Sequence, residues 1–253
     1  LGFVSGDFRR HPVGYFFAAL LQHLDKSALE ISAYPTSRFE DDLTARIKPL
    51  CDHWQSINHL NNVEAAALIH RDGPQILIDL SGHTAFSRLE LFAYKPAPVQ
   101  VSWLGYCGTT GIQEMDYLLG DPLVTPPDEE NHFTERIWRL PETYVCFSPP
   151  DADIEINSLP ALQNGFVTLG CFNNLLKLND RLLSCWANIL LALPNARLFL
   201  KARQLGDRQV AGEVVRRFAD YGVTAERLTL EESTSNYKEY LAAYHRVDIS
   251  MDT

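Results

Sequence analysis

Asp7, Arg9, Arg10 and His11 fall within five residues near the start of a 253-residue chain, and Pro12 follows at once. Imidazole is the side chain whose ordinary pKa lies near neutrality, so His11 is a candidate to orient or deprotonate a hydroxyl. The same histidine could instead cap a helix, because proline is favoured at the first helical position. His83, in "SGHT", carries the same two readings. The stretch "GYCGTTG", residues 105–111, sets three glycines beside Thr109 and Thr110. Backbone can approach a ligand closely there and hydroxyls can bond a sugar or phosphate; a tight structural turn is the other reading. Its spacing fits neither a Gly-Lys-Ser/Thr phosphate loop nor the GxGxxG of dinucleotide sites. In "CFNNLLKLND", Lys177 stands just ahead of a helix start. A lysine with free backbone N–H groups suits a diphosphate there, although a solvated loop lysine is the commoner case. The acidic residues show no glycosidase-type or metal-binding cluster, and the Asp128, Glu129, Glu130 run reads as a solvated loop.

Strand-like runs at Gly2–Ser5, 29–34, 75–80 and 99–104 alternate with helix-like stretches at 13–23, 41–50, 63–70 and 85–94. Continuous apolar strands such as "QILIDL" predict a parallel sheet covered on both faces. A Pro-, Asp- and Asn-rich texture follows Asp121, and residues 148–165 are the best linker candidate. Alternation then resumes. Strands are expected at 166–172, 196–202, 227–231 and 247–252, with helices at 180–193, 207–222 and 236–245. Asp180 is expected to cap the first of these helices and Gly222 to stop the second. The division predicted is an N-terminal half over 1–150, a linker over 151–165 and a C-terminal half over 166–253. Doubly wound sheets bind ligands at the carboxyl ends of their strands, where Asp7, His11, His83, Gly105, Asn174 and Lys177 all fall.

Composition narrows the function classes. Apolar residues make up 46% and charged residues 21%, as in ordinary globular proteins. The 22 basic and 32 acidic residues leave a net charge of −10, which argues against a nucleic-acid surface. No apolar run reaches the roughly 18 residues of a membrane span, and no basic-then-apolar leader is present, so a cytoplasmic setting is expected. Five scattered cysteines without zinc-like spacing are expected to be buried free thiols. The first strand begins at Leu1 and the last ends at the terminus, the pattern of a segment with neighbours on both sides.

"GFVSGDFRRHPVGYF", "KPAPVQVSWLGYCGTTG", "RLPETYVCFSP" and "GCFNNLLKLNDRLLSCWANILLALPNARL" together resemble the catalytic region of the O-GlcNAc transferase/SPINDLY family across nearly the whole chain. The resemblance implies a GT-B-type α/β fold: two Rossmann-like doubly wound halves with a cleft between them, the second half truncated here. It implies inverting, metal-independent transfer of a sugar, GlcNAc first, from a nucleotide sugar to Ser or Thr hydroxyls of an acceptor protein. No cofactor is implied beyond that donor. TPR helices upstream and a further C-terminal segment are the implied partners, the fragment alone being expected to be inactive. His11 matches the family's active-site histidine and Lys177 the lysine that contacts the donor diphosphate. Asn174, Gly105, Thr109, Thr110, His83 and Asp7 are placed around donor and sugar.

Departures bear on the donor. Cys107 stands where the family carries proline, and alanines replace an acidic residue near His70. Several stretches are closer to the SPINDLY branch, which includes enzymes that use GDP-fucose. UDP-GlcNAc, another UDP-hexose and GDP-fucose therefore all remain open. A nucleotide-sugar epimerase and a non-catalytic nucleotide-sugar-binding domain share the architecture and are the remaining alternatives.

Overall fold

The computed structural model describes residues 1–148, 153–234 and 236–253, which form two compact units, Leu1–Pro149 and Pro150–Thr253. In unit 1 seven strands make one fully parallel sheet: β1 (Gly2–Ser5), β2 (Ser32–Pro35), β3 (His53–Trp54), β4 (Ile76–Asp79), β5 (Val99–Ser102), β6 (Tyr117–Gly120) and β7 (Arg136–Arg139). Their order across the sheet is β3-β2-β1-β4-β5-β6-β7. The order reverses at β1, so the loops after β1 and β4 leave the same edge side by side.

The strands carry apolar residues on both faces because both are covered. Phe3 and Ile78 join a core with α1 (Pro12–His23) and α2 (Asp42–Ile47). Their neighbours Val4 and Leu77 join the opposite core with α3 (Asn62–Asp72) and α4 (Leu89–Phe92). Capping explains the helix starts. Asp41 and Thr44 close a reciprocal box on α2, and Asn61 and Glu64 close another on α3. Gly73, at φ 68°, ends α3 in the left-handed conformation that glycine adopts without a steric penalty.

In unit 2, β8 (Thr168–Cys171), β9 (Arg197–Lys201), β10 (Leu228–Glu231) and β11 (Ile249–Ser250) form a parallel sheet ordered β10-β9-β8-β11. α6 (Asp180–Ala192) buries Leu183, Trp186, Ala187 and Leu190 against it, and α7 (Arg208–Asp220) buries Val214 and Phe218. A short helix, α8 (Tyr237–Ala242), precedes β11. Residues 151 and 152 of the expected linker lie outside the described residues. The remainder holds the single-turn α5 (Ala161–Asn164), tied to unit 2 through Asn157 to the His245 carbonyl and through the Ala161 N–H to Asp248.

Several local expectations are corrected. Asn179, not Asp180, caps α6 and accepts from the Leu182 N–H; Asp180 occupies the first helical position, where a carboxylate also suits the helix dipole. The helix expected over 85–94 shrinks to Leu89–Phe92, because Phe86 at φ 62° lies outside helical geometry. Strands β3, β6 and β7 are not among those expected: β3 has only two residues, β6 ends where the Pro- and Asp-rich stretch read as turns and extended chain begins, and β7 lies within it. Cys107 and Cys185 are exposed rather than buried. Cys185 falls on the side of α6 away from Leu183, Trp186 and Leu190, as a period of 3.6 requires.

Candidate functional site

Unit 1 gathers its polar groups where β1, β4 and β5 end. Asp7 is 4% exposed and accepts from the Arg9 guanidinium at 3.2 Å. His11 caps α1: its Nδ1 accepts the Val13 N–H at 3.3 Å, so in the neutral ring the proton sits on Nε2. The Asp7 carboxylate lies 3.6 Å from the same Nδ1, too far for a hydrogen bond. Gly14 makes this knot possible, since a Cβ there would lie 2.1 Å from the Arg9 carbonyl oxygen. Capping and an active-site role are therefore compatible, because among the described residues Nε2 has no hydrogen-bond partner and the side chain keeps 39% of its surface exposed.

Burial lowers the His11 pKa below 6.5; Asp7 opposes this and Arg9 adds to it. The neutral ring is thus the folded form. Its stabilising contribution is complete above 6.5 and is lost as pH falls through the lowered value. A histidine-resolved titration by NMR is expected to place the His11 midpoint below 6.5. A midpoint above it would contradict the burial argument.

The β4 and β5 loops are joined by His83, whose Nε2 meets the Thr109 carbonyl oxygen at 3.0 Å while its ring stands edge-on to Tyr106. Gly105 is obligatory, because a Cβ would sit 2.1 Å from the Leu80 carbonyl oxygen. Asp79, fully buried at the end of β4, accepts from the Ser81 and Gly82 N–H groups and so holds the turn carrying His83. Desolvation dominates over those bonds and pushes its pKa up to about 6.

Thr109 and Thr110 do not simply offer hydroxyls to a ligand. Both are donated to Glu135, with Thr109 Oγ1 at 2.8 Å, and the Thr110 N–H also reaches that carboxylate at 2.7 Å. Thr110 is buried, so it shapes the loop, whereas Thr109 is half-buried. Burial alone would raise the Glu135 pKa, but the Thr110 and Thr109 bonds outweigh it and hold the carboxyl below its ordinary value. Glu135 escaped the sequence reading because its partners lie 25 residues away.

In unit 2 the ends of β8, β9 and β10 border an open cavity of about 700 Å³. Phe172, Asn173 and Asn174 line it after β8, Lys201 to Gln204 after β9, Glu232 and Ser233 after β10, and Tyr240 from α8. Asn174 accepts from the Leu176 N–H and from Gln204, capping the short 3-10 turn that carries Lys177. Its Nδ2 donates no bond among the described residues. Lys177 is exposed, and among the described residues its ammonium has no hydrogen bond or ion pair. The backbone turns it toward the end of β11, where it helps lower the Asp252 pKa behind the Thr253 N–H and the Asn173 amide. Lys201 is buried and pins β9 to β10 through Glu231 at 3.3 Å and the Glu232 carbonyl oxygen at 2.9 Å. The strand-end rule that marks Lys177 would have found the residues after β9 and β10 as well. Among the described residues no group of three His, Cys, Asp or Glu side chains is placed to hold a metal.

Two parallel Rossmann-like sheets with polar loops at their carboxyl edges define the GT-B class of glycosyltransferase fold. The chain belongs to Glycosyl transferase family 41, which residues 1–148 match. Among similar proteins, the probable UDP-N-acetylglucosamine–peptide N-acetylglucosaminyltransferase SPINDLY of Oryza sativa is 36% identical over the whole chain, which spans 28% of that protein's length. The UDP-N-acetylglucosamine–peptide N-acetylglucosaminyltransferase of Caenorhabditis elegans is 36% identical over 57% of the chain and 13% of its own. A mutant of the Thermobaculum terrenum O-GlcNAc transferase superposes with TM-score 0.93 at 41% identity, over all of this chain and 48% of the other. The galactosyltransferase WaaB, at 10% identity and TM-score 0.61, shares the fold alone.

Proposed function

We propose that this chain is the catalytic region of a cytoplasmic protein O-glycosyltransferase that takes UDP-GlcNAc and transfers the sugar, with inversion and without a metal, to Ser or Thr hydroxyls of an acceptor protein. The observation that carries this reading is the likeness to an O-GlcNAc transferase over every residue of the chain at 41% identity. Unit 2 takes the nucleotide: aromatic Phe172 and Tyr240 wall its cavity, Asn174 offers an amide, and Lys177 supplies positive charge to the departing diphosphate. Unit 1 serves the sugar and acceptor. His11 donates its Nε2–H to an oxygen there and orients the attacking hydroxyl, whose proton leaves late because a serine hydroxyl is a weak acid.

Thermal unfolding of the full-length protein in the presence of UDP, UDP-GlcNAc, GDP and GDP-fucose, followed by transfer assays on the same protein, tests the reading. UDP and UDP-GlcNAc are expected to raise Tm, with protection growing with ligand concentration. Protection by the guanine pair alone would reassign the donor, and protection by none of the four would remove the nucleotide-sugar reading. With the preferred donor, His11→Ala is expected to lower transfer to peptides about 100-fold. His11→Gln, which keeps an N–H donor, should retain a larger share; equal losses would mean that the ring itself accepts the proton.

A further inference from the structure

Arg9 is the only charged side chain that hydrogen-bonds Asp7 among the described residues. Its guanidinium also donates from Nε to the Gly6 carbonyl oxygen at 3.3 Å. It lies 5.9 Å from the ring of Phe39, in the loop after β2, and 5.7 Å from that of Phe86, in the loop after β4. Phe86 adopts a φ of 62°, a strained conformation for a bulky residue that persists only where the surroundings impose it. Here they do: Thr36 donates to the Phe86 carbonyl oxygen at 2.7 Å, and Gly6 leaves room for the Phe86 Cβ, which a side chain there would meet at 2.4 Å. Three strand-end loops thus converge to fix one guanidinium against one buried carboxylate.

We propose that Arg9 is a positioning residue for His11: by occupying Asp7 it leaves the imidazole neutral, with Nδ1 committed to the Val13 N–H and the proton on Nε2. The charges explain why. A buried carboxylate attracts a nearby cation, and Asp7 has two candidates, the Arg9 guanidinium at 3.2 Å and the His11 ring at 3.6 Å. Arg10 is not a third, because it is engaged by Asp42 at 2.5 Å and its backbone N–H by Asp41 at 2.7 Å on α2. The residues brought over from the β2 and β4 loops, Phe39 and Phe86, are uncharged. Without the Arg9 charge, Asp7 would recruit a protonated His11 through Nδ1–H. That move closes the 3.6 Å gap, releases the Val13 N–H and, by keeping the proton on Nδ1, leaves Nε2 of the neutral ring an acceptor instead of a donor. The inference rests on the proposed transferase reading only for its consequence in transfer.

The experiment follows the ¹⁵N signals of His11 in the whole protein across pH, assigned by their loss in His11→Gln. In the unsubstituted protein, Nε2 is expected to carry the proton at pH 7.5. Arg9→Gln is expected to raise the His11 midpoint by about one pH unit, the usual scale for changing a neighbouring charge, and to move proton density to Nδ1. Arg9→Lys should restore the midpoint in part, and Phe86→Ala should shift it in the same direction by less. In an Asp7→Asn background, Arg9→Gln should shift the midpoint by less, because only the direct repulsion between the guanidinium and the ring is then lost. A Nδ1-protonated ring in the unsubstituted protein would overturn the proposal. So would an unmoved midpoint in Arg9→Gln, or, if that variant does not fold, in both Arg9→Lys and Phe86→Ala. Protection by nucleotide, read on unit 2, is expected to be unchanged in Arg9→Gln, so this inference and the donor reading fail independently.

Discussion

Lys177→Ala is expected to abolish thermal protection by UDP and to lower sugar transfer at least about 100-fold, the scale for removing one preorganised charge from a leaving group. The stability of the nucleotide-free protein should stay within about 0.5 kcal/mol, because the side chain is exposed and bears no load in the fold. That combination separates a ligand-binding lysine from a structural one. Lys201, which bridges β9 and β10 from a buried position, should show the opposite pattern: a lowered Tm before any specific loss of affinity. Lys177→Arg should recover only part of the activity, since a planar fork does not place its charge where a compact ammonium does. Full protection by UDP in Lys177→Ala would exclude the residue from the diphosphate site.

Glu135→Ala is expected to destabilise unit 1 by about 3 kcal/mol, since it strips a buried carboxylate from three donors and leaves the Thr110 N–H unpaired. Urea titration at pH 7.5 measures it. The carboxyl is held below its ordinary 4.5, so its contribution is complete above that value and is lost as pH falls through the lowered one. The gap between variant and unsubstituted protein should therefore narrow in acid. Glu135→Gln keeps one carbonyl acceptor and should cost less. Because Thr109 passes the constraint on to His83, transfer should fall in Glu135→Ala even at temperatures where the variant remains folded. A stability loss under about 0.5 kcal/mol, the range of an ordinary surface change, would show that the loop holds itself.

Much of the fold was legible because most strands of the doubly wound sheets announce themselves locally. Gly2–Ser5 and Ile76–Asp79 are continuous apolar runs, and the helices between them start at cappers and stop at glycines such as Gly73. Such signals depend on neighbours a few residues apart. β3, β6 and β7 lie toward the margins of their sheet, where register with a partner strand, rather than pattern, decides pairing. The expected helix over 85–94 failed for a related reason. Its residues suit a helix, but the Thr36 hydroxyl on the Phe86 carbonyl oxygen and the fit against Gly6 impose another backbone.

The amino-acid order by itself determined the alternation of strand and helix, the parallel sheets, and which residues stand at strand ends: Asp7, His11, His83, Gly105, Asn174 and Lys177. Local propensity and chain continuity suffice for that. Only the tertiary structure decided what each of these groups is free to do. It committed the Thr110 hydroxyl to Glu135, gave the His11 Nδ1 to a helix cap, set Arg9 on Asp7, and left the Lys177 ammonium without a partner among the described residues. Those outcomes depend on partners brought together by folding, from two to fifty residues apart along the chain, and on the burial that makes each hydrogen bond costly to lose.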